Sequence, residues 1–173
     1  MFTHNIWFAV ELLSRFEKNK PACTYYGITA DGAKSGIVAS GTHPRWDDVK
    51  GLSGRVNKLI EGAGSLSGEP LEAVLEKGYE LIRSWCEVVV EQDVLAGVTQ
   101  RYQPNVMMTA LPRINAQRLP AARDVIFPLF EKACRYMGGH SQPLETLAVR
   151  PTLQELKDDW KKANEARAAY IQS

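Results

Sequence analysis

The chain has 173 residues, 45% of them hydrophobic and 24% charged, with a formal net charge of +1. That is enough chain for one domain, or one domain with an appendage, and enough apolar content for a real core. The near-neutral balance removes any global electrostatic case for nucleic acid or a membrane surface. No window approaches the ~18 uninterrupted apolar residues of a membrane span. The first residues also lack the basic segment and apolar run of a secretion signal, so a cytoplasmic protein is expected.

Residues 5–18 place Ile6, Phe8, Leu12, Leu13 and Phe16 at helical spacing, with Thr3 or Asn5 as N-cap. Asn19-Lys20-Pro21 ends that helix. Residues 22–30 are rich in strand formers, Asp31-Gly32 is a turn signal, and Gly36–Ser40 offers a second strand. The expectation is a hairpin whose loop is somewhat longer than two residues. Trp46–Ile60 reads as a helix, and residues 61–68, Glu-Gly-Ala-Gly-Ser-Leu-Ser-Gly, as a flexible connector and domain boundary.

Pro70 suits the first turn of a long helix over Leu71 to about Tyr102. Its apolar residues fall almost all round, the mark of a helix buried on more than one side. Val88-Val89-Val90 alone would suggest a strand, but the length and the flanking polar residues favour helix. Residues 105–114 are ambiguous in pattern, an extended run ahead of Pro112 being one option. A helix over Leu119–Met137 follows, kinked at Pro128 and stopped by Gly138-Gly139. A last helix begins after Pro151, where Thr152 and Glu155 have capping-box spacing. The reading is therefore α+β and mostly α-helical: an N-terminal part (1–60: helix, hairpin, helix), a linker (61–68) and a helical C-terminal module (69–173).

The motif closest to chemistry is Gly27-Ile28-Thr29-Ala30-Asp31-Gly32-Ala33-Lys34-Ser35. It misses the phosphate-loop pattern by one inserted residue. A phosphate loop needs a helix to begin at once, so that successive N–H groups wrap the phosphates. Strand patterns flank this one on both sides, and a hairpin turn is the better account. Cys23, Cys86 and Cys134 are odd in number and widely spaced, with no disulfide framework. His4, His43 and His140 have no ligand spacing, so no metal site is expected. Trp46, Trp85 and Trp160 lie on apolar helix faces as core aromatics.

Charge is uneven. Residues 71–100 carry two basic and six acidic side chains, and residues 101–150 carry seven basic and three acidic ones. Such blocks are most often solvated faces or pair within the fold. The sharper alternative is a basic nucleic-acid surface through Arg101, Arg113, Arg118 and Arg123.

Phe2-Thr3-His4-Asn5-Ile6 through Phe16 resembles the switch-loop segment of RecF/SMC-like ABC-type P-loop ATPases, a group that includes AAA-class proteins. Leu81-Ile82-Arg83-Ser84-Trp85-Cys86-Glu87, then Leu95-Ala96-Gly97-Val98-Thr99-Gln100-Arg101-Tyr102, is similar to the C-terminal end of such proteins, as is Trp46-Asp47-Asp48. The resemblance spans most of the chain. It implies that His4 contacts the γ-phosphate of ATP bound with Mg, with Asn5 standing where Asp is frequent. It also implies that residues 1–60 are the remnant of an ATPase lobe. The phosphate loop, the signature and the acidic strand with its catalytic Glu have no counterpart in this sequence. The expected protein is the C-terminal fragment or subunit of an ATPase in DNA repair or defence against foreign nucleic acid. It would be a truncated gene, an internal start or one half of a split protein. Its partners would be the missing ATPase core or a second ATPase protomer, and nucleic acid, with no membrane. Without them it would neither bind nor hydrolyse ATP. The alternative is a stand-alone helical protein-interaction adaptor.

Overall fold

The computed structural model describes residues 5, 8–9, 12, 26–31, 34–40, 47–101, 105–136 and 150–172. Contacts divide the chain into two units, Met1–Trp46 with Arg101–Asn105, and Asp47–Gln100 with Val106–Ser173. Helix dominates and the strands form one antiparallel hairpin, so the mostly helical α+β class holds for the described residues.

In the first unit Phe8, Ala9 and Leu12 are helical, and Asn5 caps them. Its Oδ1 accepts from the Phe8 N–H at 3.2 Å and its carbonyl accepts from the Ala9 N–H at 3.0 Å. Such a cap satisfies donors that the first helical turn leaves orphaned. Strands β1 (Tyr26–Asp31) and β2 (Lys34–Ser40) pair from Tyr26↔Ser40 to Asp31↔Lys34. The register slips between Thr29 and Ala30, where Gly36 (φ 81°) is the extra residue of a bulge. That bulge carries the pairing on to Lys34, so the connection is tighter than the sequence pattern predicts. Lys34 and Ser35 thus lie in a strand, where a phosphate loop would begin a helix.

Among the described residues of the second unit four α-helices stand out: α1 (Val49–Gly62), α2 (Glu69–Val89), α3 (Leu119–Arg135) and α4 (Leu153–Ile171). Helix α2 is central and packs on the other three. Leu75, Tyr79, Ile82, Cys86 and Val89 are buried at 3/4 spacing, and Leu81, Trp85 and Val88 are buried beside them, which is why its apolar stripe wraps so widely. Gly78 lets α4 come close: a Cβ there would sit 2.8 Å from Leu156 Cδ2. Trp85 and Trp160 meet edge to face at 5.1 Å at the centre. Their indole N–H groups donate to Ser53 Oγ (3.0 Å) and Asn57 Oδ1 (2.7 Å) on α1. Both indole N–H groups of the core are therefore satisfied.

Three boundaries differ from the sequence expectations. Helix α1 packs on α2, and residues 63–65 form a single 3₁₀ turn with Ala63 fully buried. The division between units consequently falls at Trp46/Asp47, with α1 on the helical side. Regular α2 stops at Val89, well short of Tyr102, and passes into a π-turn over Val90–Val94. Residues 108–113, ambiguous in pattern with an extended run as one option, form a 3₁₀ helix. The capping box is present as expected: the Glu155 N–H donates to Thr152 Oγ1, and Glu155 Oε2 accepts from the Thr152 N–H at 2.8 Å.

Candidate functional site

Two helix ends converge in the second unit. After Val89 the α2 chain widens: Leu95 N–H donates to Val90 O at 2.8 Å, five residues back, and Gly97 N–H donates to Glu91 O at 2.9 Å. Ala96 (φ 50°) and Gly97 (φ 72°) then take left-handed backbone conformations. Ala96 carries a Cβ and holds that conformation at a cost. Widened turns and left-handed non-glycine residues concentrate at functional places in folds.

The last turns of α4 hold this segment. Arg167 Nε donates to Asp93 Oδ2 at 2.6 Å, and the buried Tyr170 hydroxyl donates to Val94 O at 3.1 Å. The same hydroxyl accepts from the Asn115 N–H at 3.1 Å. Arg113 Nη2 donates to Ala96 O at 3.2 Å. Arg118 Nη1 reaches Ala169 O and Tyr170 O at 3.3 and 3.5 Å, near the C-terminus of α4. Carbonyls at a helix C-terminus carry partial negative charge, and a guanidinium is a natural partner for them. A cleft of about 350 Å³ opens beside this cluster, lined by Asp93, Ala96, Arg113, Asn115 and Tyr170 among others.

A second polar cluster joins α2, α3 and α4. The Tyr79 hydroxyl donates to Asp159 Oδ2 at 2.8 Å, and Lys132 Nζ sits 2.6 Å from the same oxygen. Lys132 also lies 3.8 Å from Glu155 and over the Tyr79 ring. Burial, then the hydrogen bond to Asp159, push the Tyr79 phenol well above its ordinary range. Burial raises the Cys86 thiol to about 12, so it is an inert core group. The Thr152 N–H, then its hydroxyl, hold the Glu155 carboxyl below the usual range.

The residues singled out in the sequence separate into three groups. His4, His43, His140 and Cys23 lie outside the described residues. Arg113 and Arg118 are brought together beside the end of α4, each donating to main-chain carbonyls. Arg123 is exposed on α3 and paired with Asp124 at 2.7 Å, while Arg101 is exposed in the other unit. Among the described residues no group of three or more His, Cys, Asp or Glu could hold a metal ion, and no helix is long and apolar enough to cross a membrane. Asp93, Asn115 and Arg167 carry no site signal in the sequence, and Tyr170 reads there only as part of the apolar stripe of the last helix. Each is unremarkable alone, and they meet only through contacts as many as 76 positions apart.

No family model, curated protein or solved structure matches the chain.

Proposed function

We propose that the chain works as the C-terminal part of a RecF/SMC-like ABC-type ATPase in DNA repair or defence against foreign nucleic acid. The observation that carries this reading is the Leu81–Tyr102 pattern, seen together with the Thr3-His4 step. In this reading His4 reaches the γ-phosphate of an ATP–Mg held by a P-loop core or a second ATPase protomer. The helical unit is then an appendage on that core. The near-phosphate-loop of residues 27–35 gives no independent cradle, since its Lys and Ser belong to β2. Phosphoryl transfer depends on such a cradle with its metal, so the chain alone does not turn over ATP.

The test is an ATPase assay of the purified chain with ATP and Mg, alone and with a P-loop core lacking this part. Turnover is expected only in the mixture, and only with His4 intact. Turnover by the chain alone that His4→Ala abolishes would overturn the reading.

A helical adaptor is the second reading, favoured by the exposure of Val106, Met107, Met108 and Leu111 (47–64%). Apolar side chains grouped in one short segment and open to water are a common mark of protein contact. Capture of a non-ATPase partner that Met108→Asp and Leu111→Asp abolish, with no response to nucleotide, supports the adaptor over the ATPase part.

A further inference from the structure

The exit of α2 is held in an unusual form by side chains from elsewhere in the second unit, and those contacts have a specific consequence for helix continuation. Residues Val90–Val98 (Val-Glu-Gln-Asp-Val-Leu-Ala-Gly-Val) contain no proline, and Pro104 is the first one beyond them. Nothing in this stretch forbids an α-helix apart from the modest cost of Gly97. In a continued helix the Val98 N–H would donate to Val94 O, and the Gly97 N–H to Asp93 O. The Tyr170 hydroxyl donates to that Val94 oxygen, and the Ala96 N–H donates to the Asp93 oxygen at 3.3 Å. Val98 donates instead to Leu95 O, and Gly97 to Glu91 O. Arg167 holds the Asp93 side chain and Arg113 the Ala96 carbonyl, so three side chains outside the turn fix it on both flanks. Ala96 meanwhile occupies a backbone region unfavourable to any residue with a Cβ.

We propose that the end of α4 is a latch on the exit of α2: with Arg167 and Tyr170 engaged, residues 90–97 form the widened, left-handed exit, and on their release the same residues continue α2 as regular helix. The device is two-state, because the Val98 and Gly97 N–H groups that regular helix would direct to Val94 O and Asp93 O are committed to Leu95 O and Glu91 O in the observed form. It occupies the exit of α2, so it sets the backbone path of residues 90–98 within the helical unit. A partner that engages the end of α4 would therefore act on that exit.

The test uses backbone NMR assignments of the full chain and of the Arg167→Ala/Tyr170→Phe variant. Tyr170→Phe keeps the buried ring and removes only the hydroxyl. The Cα shifts of Ala96, Gly97 and Val98 are expected to move to helical values, with sequential i to i+3 contacts running past Val94, while Leu81 and Ile82 stay unchanged. Ala96→Gly in the same background should return the exit to its original form. Glycine tolerates the left-handed conformation and disfavours the helix, so both effects act in one direction. Unchanged shifts, coil-like shifts at 95–98, or helical shifts that Ala96→Gly fails to reverse would each overturn the latch.

Discussion

Removing the Asp159 carboxylate should destabilise the helical unit by about 2–3 kcal/mol, the scale of losing a charge-assisted hydrogen bond and orphaning its partners. The structure explains why the loss is larger than for a surface pair. Asp159 is 17% exposed at its side chain and serves both the Lys132 ammonium and the Tyr79 hydroxyl. In Asp159→Ala, Lys132 retains only Glu155 at 3.8 Å among these carboxylates, and the hydroxyl of Tyr79, a fully buried residue, loses its acceptor. Lys132 keeps 29% of its side chain exposed, so water screens part of the cost, and the figure stays below that of a fully buried pair broken on one side. Tyr79→Phe removes the donor along with its need for an acceptor and should cost about 1 kcal/mol. Urea unfolding of the wild type, both single variants and the double variant gives the coupling between the two groups directly. It should be about 1 kcal/mol, with the double variant less destabilised than the sum of the singles. A coupling within about 0.3 kcal/mol of zero, or an Asp159→Ala loss below about 0.5 kcal/mol, would refute the shared-acceptor reasoning.

Groups of the same helical unit shape the response to pH. Tyr79 and Cys86 are both raised on folding, so their contributions are complete below their ordinary values and are lost as pH climbs through the folded ones. Stability should fall on the alkaline side, less steeply in Tyr79→Phe, as urea midpoints between about pH 8 and pH 11 will show. Glu155 is the opposite case: its folded value is lowered, so its contribution is present above the ordinary glutamate range and lost as pH falls through the folded value. Glu155→Gln should flatten that acid limb in thermal melts, and an unchanged limb would assign it to other carboxylates. Arg118→Ala should lower stability by roughly 0.5–1 kcal/mol, because it uncaps carbonyls at the end of α4. If it instead leaves the melting curve unchanged and weakens salt-dependent binding of single-stranded DNA, Arg118 belongs to a nucleic-acid surface. Gly97→Ala should destabilise by about 1–2 kcal/mol in denaturant titrations, since it forces a Cβ into a left-handed position 3.2 Å from Gln100 Nε2.

Much of this architecture is written in local pattern. The 3/4 spacing of Leu75, Tyr79, Ile82, Trp85 and Val89 marks the central helix. Thr152 and Glu155 mark the start of α4, and Asp31-Gly32 marks the hairpin that removes the false phosphate loop. These signals survive because each is a short-range effect: a periodic face, a cap reaching three residues, a turn over four.

What only the tertiary structure decided is where those elements stop and which distant groups the charged side chains meet. Val90–Val98 is compatible with helix in sequence, yet Tyr170 donates to the Val94 carbonyl that a continued helix would need. Arg113 and Arg118 lie five positions apart in a basic stretch of the chain, and only the fold shows that each donates to a main-chain carbonyl from another segment. The connector at 61–68 looks like a boundary, yet α1 packs on α2 across it. Local preference differs by only about 1 kcal/mol between such alternatives, and one well-placed contact from a distant segment is enough to choose.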